Sequence, residues 1–152
     1  MIRVRTIQWR AGVAAALVSM LAACTPNTPP IAVSEARAAA TPPGASVGAA
    51  YLTIEAAQAD RLLGAHTPIA ARVEMHISSE ADGMMRMRRI DGLALEPGVA
   101  QVLAPQGTHF MLIDLQSPLV AGANFPLTLQ FERAGEMAID VRVVAPDALV
   151  TH

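Results

Sequence analysis

From Gly44 onward, hydrophobic and polar residues alternate over short stretches of the chain. Residues 125–131 place an apolar side chain at every second position, and residues 139–143 repeat this pattern. A period of two is typical of β-strands with one buried face. The segments with this strand-like character are 48–57, 71–79, 84–90, 99–105, 108–115, 125–133 and 137–146.

Turn-forming residues separate these segments, with Gly, Pro, Asp or Asn in 80–83, 95–98, 104–107 and 120–124. About seven short strands at this spacing favour an antiparallel β-sandwich or barrel over a helical or βαβ fold. Residues 60–66 show no clear pattern, and we expect a loop or a helical turn there.

The N-terminal 23 residues have the composition of a secretory signal peptide. Arg3, Arg5 and Arg10 precede an apolar stretch that is too short to span a membrane comfortably. Residues 21–24, which end in Cys24, resemble the lipobox of bacterial lipoproteins, in which the cysteine is lipidated and becomes the mature N-terminus. The alternative is an ordinary signal peptide with Cys24 as a stray thiol. We favour lipidation, because an unpaired cysteine in an exported protein needs an explanation.

The predicted organisation has four parts. A signal peptide occupies residues 1–23, a lipid-anchored flexible tether 24–43, a folded domain 44–147 and a short tail 148–152. The tether is rich in Pro, Ala, Ser and Thr and has little periodicity, although a part of it adding an edge strand to the domain is an open alternative. We expect the protein on the periplasmic side of a bacterial membrane, or in the soluble periplasm if Cys24 is not lipidated.

Composition excludes several classes of function. Three of the 11 basic residues precede Cys24, which leaves 8 against 13 acidic residues and a formal net charge of −5. This balance disfavours a nucleic-acid-binding protein. The chain has no lysine, and with its one cysteine lipidated the domain has no disulfide, thiolate metal site or Cys nucleophile. No catalytic motif is present, so we do not expect an enzyme.

Methionine and histidine are concentrated in one part of the chain, where His76 and His109 are accompanied by Met84, Met85, Met87 and Met111. Met75 also lies there, and its spacing with apolar neighbours indicates a core position. A hairpin at 80–84 would bring Met85 or Met87 near His76, and His109 and Met111 would come from a later strand. Neutral imidazoles and thioethers together favour Cu(I), and a blue-copper site would need a cysteine ligand.

The spacing of four of these residues matches a known motif. His76, Met87, His109 and Met111 fit H-x10-M-x21-H-x-M, and the chain resembles the periplasmic copper chaperones of the PCu(A)C family from about Ala40 to Pro146. The resemblance implies a cupredoxin-like β-sandwich that binds one Cu(I) per monomer, near its surface, through these four residues. It also implies delivery of copper to the CuA centre in cytochrome c oxidase subunit II, often with thioredoxin-like Sco proteins. We expect a monomer without a second copper site in its tail.

Some features near the motif leave alternatives open. Met85 shares a face with Met87 and either substitutes as a ligand or shields the site; shielding is favoured. Arg86, Arg88 and Arg89 form either a docking patch for an acidic partner or a solvated strand face, and the latter is favoured. The same site would also serve a copper sequestration or tolerance lipoprotein. A structural β-sandwich lipoprotein without metal is a further alternative.

Overall fold

The computed structural model describes residues 30–149, so the predicted signal peptide, Cys24 and the end of the tail lie outside the described residues. Within this range no helix is long and apolar enough to cross a membrane. Residues 30–149 form ten strands and one short 3-10 helix. The strands are β1 (Ile31–Ala39), β2 (Val47–Ala56), β3 (Asp60–His66), β4 (Ala70–Ala81), β5 (Met84–Ile90), β6 (Leu93–Leu95), β7 (Gln101–Leu103), β8 (Thr108–Leu115), β9 (Asn124–Phe131) and β10 (Gly135–Val144), and the helix is Pro146–Leu149.

The strands form one hydrogen-bonded path in the order β5-β4-β8-β2-β1-β10-β9-β3-β6, and β7 adds to β2. Among the strands of the described residues, all neighbouring pairs are antiparallel except the parallel pair of β1 and β10. β3 also contacts β4, so distant parts of the path meet around one core. The predicted all-β fold is confirmed, with one parallel pair as a departure from a purely antiparallel arrangement.

One aliphatic core lies inside this fold. Buried side chains come from strands along the whole path, and the largest that are fully buried are Phe110, Leu52, Ile54, Leu62, Leu112, Leu127, Leu129, Val141 and Val143. Along β9 the buried positions alternate with more exposed ones, as the sequence pattern predicts. Met75 is buried in the core, in agreement with its spacing. The core side chains of β4 and β8 therefore point inward, and their alternate residues lie on the opposite face.

The predicted flexible tether at residues 24–43 is wrong for residues 31–39. β1 lies there and pairs with β2 on one side and with β10 on the other, so it is an internal strand rather than an edge. Its register shifts between Ser34 and Arg37, and Glu35 has a positive φ of 53°. This irregularity breaks the period-two pattern and hides the strand in the sequence. The folded domain thus includes the residues from Ile31 onward.

The predicted loop or helical turn at 60–66 is also wrong, because these residues form β3. Its buried residues, Leu62 and Ala65, are three positions apart. A register shift between Leu62 and Gly64 in the pairing with β9 accounts for this spacing, since an extra residue changes which face the side chains occupy. The predicted boundary between domain and tail, at 147/148, falls inside the C-terminal 3-10 helix.

Candidate metal centre

A tight turn fixes the register of the first two strands of the site. β4 and β5 are joined by Asp82 and Gly83, which both have positive φ, 56° and 72°. Two left-handed residues with the sequence Asp-Gly are typical of a two-residue hairpin turn. In the register that this turn sets, Ser78 pairs with Met87 and His76 pairs with Arg89. The predicted hairpin is confirmed, and it places Met87 on the same face as His76, diagonally across the strand pair.

β8 borders β4 on the other side and supplies the second half of the site. His76 lies directly opposite His109, and Glu74 lies opposite Met111. Directly paired residues point to the same face, as do residues two apart on one strand. The structure therefore brings together all four motif residues, His76, Met87, His109 and Met111, on the face of three adjacent strands that points away from the core.

The four side chains differ in their access to solvent. His109 is 3% exposed, whereas Met87 is 53% exposed. Met111 is half-buried between these extremes, as is His76. The imidazoles are thus shielded within the sheet surface, and the thioether of Met87 forms the open side of the site.

His109 is held in one tautomer. Its Nδ1 lies 3.1 Å from the backbone oxygen of Gly107, which can only accept a hydrogen bond. Nδ1 therefore carries the proton and donates, and Nε2 keeps its lone pair in the neutral ring. A ring that is fixed in this way through one nitrogen presents the other as a metal ligand.

His76 has the opposite arrangement. Its Nε2 donates to Oε2 of Glu74 over 3.0 Å, which leaves the lone pair on Nδ1. Nδ1 is buried and makes no hydrogen bond, and no other side-chain nitrogen or oxygen within residues 30–149 is buried without a partner. An unsatisfied buried acceptor is costly unless something binds it. A metal ion at Nδ1 would satisfy this atom.

Glu74 connects the site to its surroundings. The hydrogen bond from His76 lowers the pKa of the Glu74 carboxyl, and the positive charges of Arg89 and Arg72 lower it further. Oε1 lies 3.4 Å from the Arg72 Nε and 3.6 Å from an Arg89 nitrogen. The carboxylate is therefore ionised at neutral pH and can hold the His76 ring in orientation.

The sequence alone did not indicate Tyr51 or Glu74 as parts of this site. Tyr51 on β2 lies with its ring centroid 6.2 Å from that of His109, and burial raises the pKa of its phenol. No motif spacing points to Tyr51, because only the pairing of β2 with β8 brings it beside His109. Glu74 could have been found from its position two residues before His76 on the same strand face.

Other residues of the Met- and Arg-rich segment lie elsewhere. Met85 pairs with Glu80 nearer the hairpin tip and is 61% exposed. By strand alternation, Arg89 lies on the face of the site, whereas Arg86 and Arg88 lie on the opposite face of β5. The three arginines therefore do not form one patch on one face.

The donor set suits a soft monovalent ion. The ring centroids of His76 and His109 are 6.3 Å apart, close enough for both rings to bind one ion after small side-chain rotations. Residues 30–149 contain no cluster of three His, Cys, Asp or Glu side chains that could hold a metal. With two neutral imidazoles and two thioethers the site carries no ligand charge, which favours Cu(I) over harder divalent ions.

Comparisons with known proteins identify the family of this chain. A family model described as "Putative lipoprotein LpqE-like" matches residues 31–143. The chain belongs to the LpqE-like family. A relative from Leifsonia xyli subsp. xyli (strain CTCB07), "Putative lipoprotein Lxx21020", is 30% identical over 83 residues, 54% of this chain. The LpqE-like chain aligns with 50% of that protein, about half its length.

Solved structures match the LpqE-like domain as well. The copper-bound PCuAC domain of PmoF2 is 29% identical with a TM-score of 0.65, over 78% of this chain and 95% of that domain. The apo form of the PmoF2 domain is 30% identical with a TM-score of 0.66, over 81% and 96%. Cu(I)-bound DR1885 from Deinococcus radiodurans is 28% identical with a TM-score of 0.61, over 75% and 77%. The resemblance to PCu(A)C domains is confirmed, and the expectation of a protein that is not an enzyme agrees with it.

Proposed function

We propose that this LpqE-like lipoprotein is a Cu(I) chaperone that carries one ion per chain at His76, Met87, His109 and Met111. The proposal rests on the two adjacent imidazoles, each of which has one ring nitrogen free to bind a metal ion. The Nδ1 atom of His76 is buried and unsatisfied, and the Nε2 atom of His109 is freed by the bond from Nδ1 to Gly107. The copper-bound forms of the similar PmoF2 domain and DR1885 support the choice of metal.

The ligands divide between retention and release. His76 and His109 are shielded and are held by hydrogen bonds, so they retain the ion against loss to solvent. Met87 is exposed on β5 and is the ligand that an incoming group can displace first. An acceptor thiolate that replaces Met87 would then take over the remaining positions in turn. Thioethers and imidazoles are uncharged, so exchange for thiolates is favourable for a soft ion.

The proposed destination of the copper is the CuA centre of cytochrome c oxidase. The partners are subunit II itself, a Sco-type thioredoxin-like protein, or both. The proposed location is the periplasmic side of a bacterial membrane, with the protein anchored through lipidated Cys24. Membership in a family of lipoproteins supports export and anchoring.

The metal site is tested by anaerobic competition for Cu(I) with a chromophoric chelator. We expect one Cu(I) per chain, and a loss or strong weakening of binding in His109→Ala and Met111→Ala. His66→Ala is the matched control, because His66 is an exposed histidine at the end of β3, outside the site. Circular dichroism checks that the variants remain folded. Unchanged Cu(I) affinity in folded His109→Ala and Met111→Ala would overturn the proposal.

Delivery and tolerance are separated by deleting the gene. A chaperone for oxidase assembly predicts reduced oxidase activity at low copper, which added copper restores. A sequestration protein predicts normal oxidase activity and reduced survival at high copper. Complementation with the His109→Ala variant shows whether either effect depends on the site.

A further inference from the structure

β5 is an open edge strand with an unusual surface. It lies at one end of the strand order, and among residues 30–149 no strand pairs with its outer side. Six of its seven residues are exposed. An unpaired edge presents a row of free N–H and C=O groups that can pair with another chain, and natural proteins usually protect such edges.

Protection alone does not explain the side chains of β5. Arginines on the strand discourage edge-to-edge aggregation, but Met84, Met85 and Met87 are large apolar residues that are 57%, 61% and 53% exposed. Methionine and arginine are both enriched where proteins bind one another, whereas lysine and acidic residues are depleted there. The composition of β5 is therefore that of an interface.

The charge of β5 is opposite to that of the remaining domain. The strand has three arginines and no acidic residue, in a chain whose net charge is negative. Within the described part of the chain, Arg86 and Arg88 make no ion pair, and Arg89 makes only longer contacts, of 3.6 Å to Glu74 and 3.8 Å to Asp91. Two of these positive charges thus have no acidic partner within the domain.

We propose that β5 is the docking strand for an acidic, extended segment of the protein that exchanges copper with this site. The segment adds to the open edge by main-chain hydrogen bonds, and its carboxylates pair with Arg86 and Arg88. Met87 lies on the same strand, so docking places the partner beside the most exposed ligand of the site. The identity of the partner as a copper donor or acceptor rests on the proposed function, whereas docking itself does not.

Two other occupants fit the strand less well. A second copy of the chain would bring the arginines of two β5 strands together, and like charges across a strand pair are unfavourable. Anionic lipid is usually recognised by clusters of about four to eight basic residues, more than β5 carries. Charge complementarity therefore favours an acidic polypeptide.

The test uses copper-free, 15N-labelled protein and a short peptide that alternates Glu with Val. Titration followed by NMR should shift the amide signals of β5 more than those of other strands, with an affinity that falls as salt is added. Arg88→Glu should weaken binding by about tenfold, whereas Arg142→Glu, the same change at an exposed residue of the internal strand β10, should have little effect. A peptide with alternate N-methylated amides should also bind more weakly, because it cannot complete the strand pairing.

Several results would overturn the proposal. Arg88→Glu and Arg142→Glu would weaken peptide binding equally, or the N-methylated peptide would bind as tightly as the unmethylated one. Sedimentation would show a dimer of the protein that Arg88→Glu disrupts, or β5 would bind phosphatidylglycerol vesicles more tightly than the peptide. Cu(I) competition on Arg88→Glu keeps the two proposals apart, since its affinity should equal that of the unmodified protein. If the unmodified protein did not bind Cu(I), the proposed function would be wrong. The docking proposal would still be tested separately by the peptide titration.

Discussion

His76 and His109 lie directly opposite each other on β4 and β8, with ring centroids 6.3 Å apart. Each ring uses one nitrogen for a hydrogen bond to the protein, and the two rings use different nitrogens. Their free lone pairs are Nδ1 of His76 and Nε2 of His109. The strand register brings the rings together, and the hydrogen bonds determine which atoms they offer.

This difference predicts two opposite tautomers in the copper-free protein. His76 should carry its proton on Nε2 and His109 on Nδ1, because Glu74 and the Gly107 carbonyl can only accept from them. Long-range 1H–15N NMR of the imidazoles at mildly alkaline pH distinguishes the two forms directly. Exposed His66 serves as the control and should show the mixture of tautomers of a solvated ring. Finding the same tautomer at His76 and His109 would contradict the assignment of ligand atoms.

Glu74 should increase the affinity of the site for Cu(I), because its hydrogen bond orients the His76 ring. Glu74→Ala should lower Cu(I) affinity by about 10–100-fold, since it removes the group that orients a ligand. Glu80→Ala is the matched control, because Glu80 lies on the same strand and face but pairs with Met85 near the hairpin tip. Circular dichroism at the assay temperature checks that both variants remain folded, because the Glu74 side chain is only 19% exposed and its loss also removes the hydrogen bond from His76. Equal affinities for the two variants would show that Glu74 has no positioning role.

The two exposed methionines on one face of β5 should behave differently. Met87→Leu keeps the size of the side chain and removes the thioether, so we expect Cu(I) to bind at least about tenfold more weakly. Met85→Leu makes the same chemical change farther from His76 and should leave affinity unchanged. Chelator competition measures the affinities. X-ray absorption should also show one sulfur ligand fewer in Met87→Leu and the same number in Met85→Leu. The reverse pattern would make Met85 the ligand and correct the motif assignment.

Asp60 should contribute pH-dependent stability. Burial raises the pKa of its carboxyl, but hydrogen bonds from the backbone N–H groups of Arg61, Arg133 and Ala134 outweigh this effect, and the pKa is lowered. The bond from Arg61, of 2.7 Å, lies within β3, whereas the bonds from Arg133 and Ala134, both of 2.9 Å, tie the start of β3 to the turn between β9 and β10. A lowered folded-state pKa means that the stabilisation is fully present above the ordinary value of 3.8 and is lost as the pH falls through the folded-state pKa.

Asp60→Asn should therefore lower the free energy of unfolding by about 1 kcal/mol at pH 7, because its amide NH2 cannot accept the third bond. Urea unfolding at a series of pH values should show this difference staying constant down to about pH 5 and shrinking in more acidic solution. Asp140→Asn is the control, since Asp140 makes no side-chain hydrogen bond or ion pair with residues 30–149 and should show no such trend. A difference that is independent of pH would contradict the proposed role of the carboxylate charge.

Much of the fold could be predicted from periodicity, and the wrong predictions for β1 and β3 have a common cause. β9 alternates without interruption, so its buried face was evident from the sequence. In β1 and β3 a register shift breaks the alternation. The sequence pattern therefore predicted a flexible tether in place of β1 and a loop or helical turn in place of β3. A bulge changes the face of every later side chain by one position, so the period-two pattern disappears although the hydrogen bonding persists.

The sequence by itself determined the chemical types and spacing of the candidate ligands, the Asp-Gly turn that sets the β4–β5 register, and the absence of a thiolate from the domain. Only the tertiary structure decided that β8 lies beside β4 in a register that pairs His109 with His76. It also decided which ring nitrogens are free and that Tyr51 and Glu74 lie beside the rings. Met87 lies on the solvent-exposed side of the site for the same reason. The physical reason is that spacing within a strand fixes only the face of a side chain. Its neighbours depend on which distant strands pair and with which register, and long-range packing sets both.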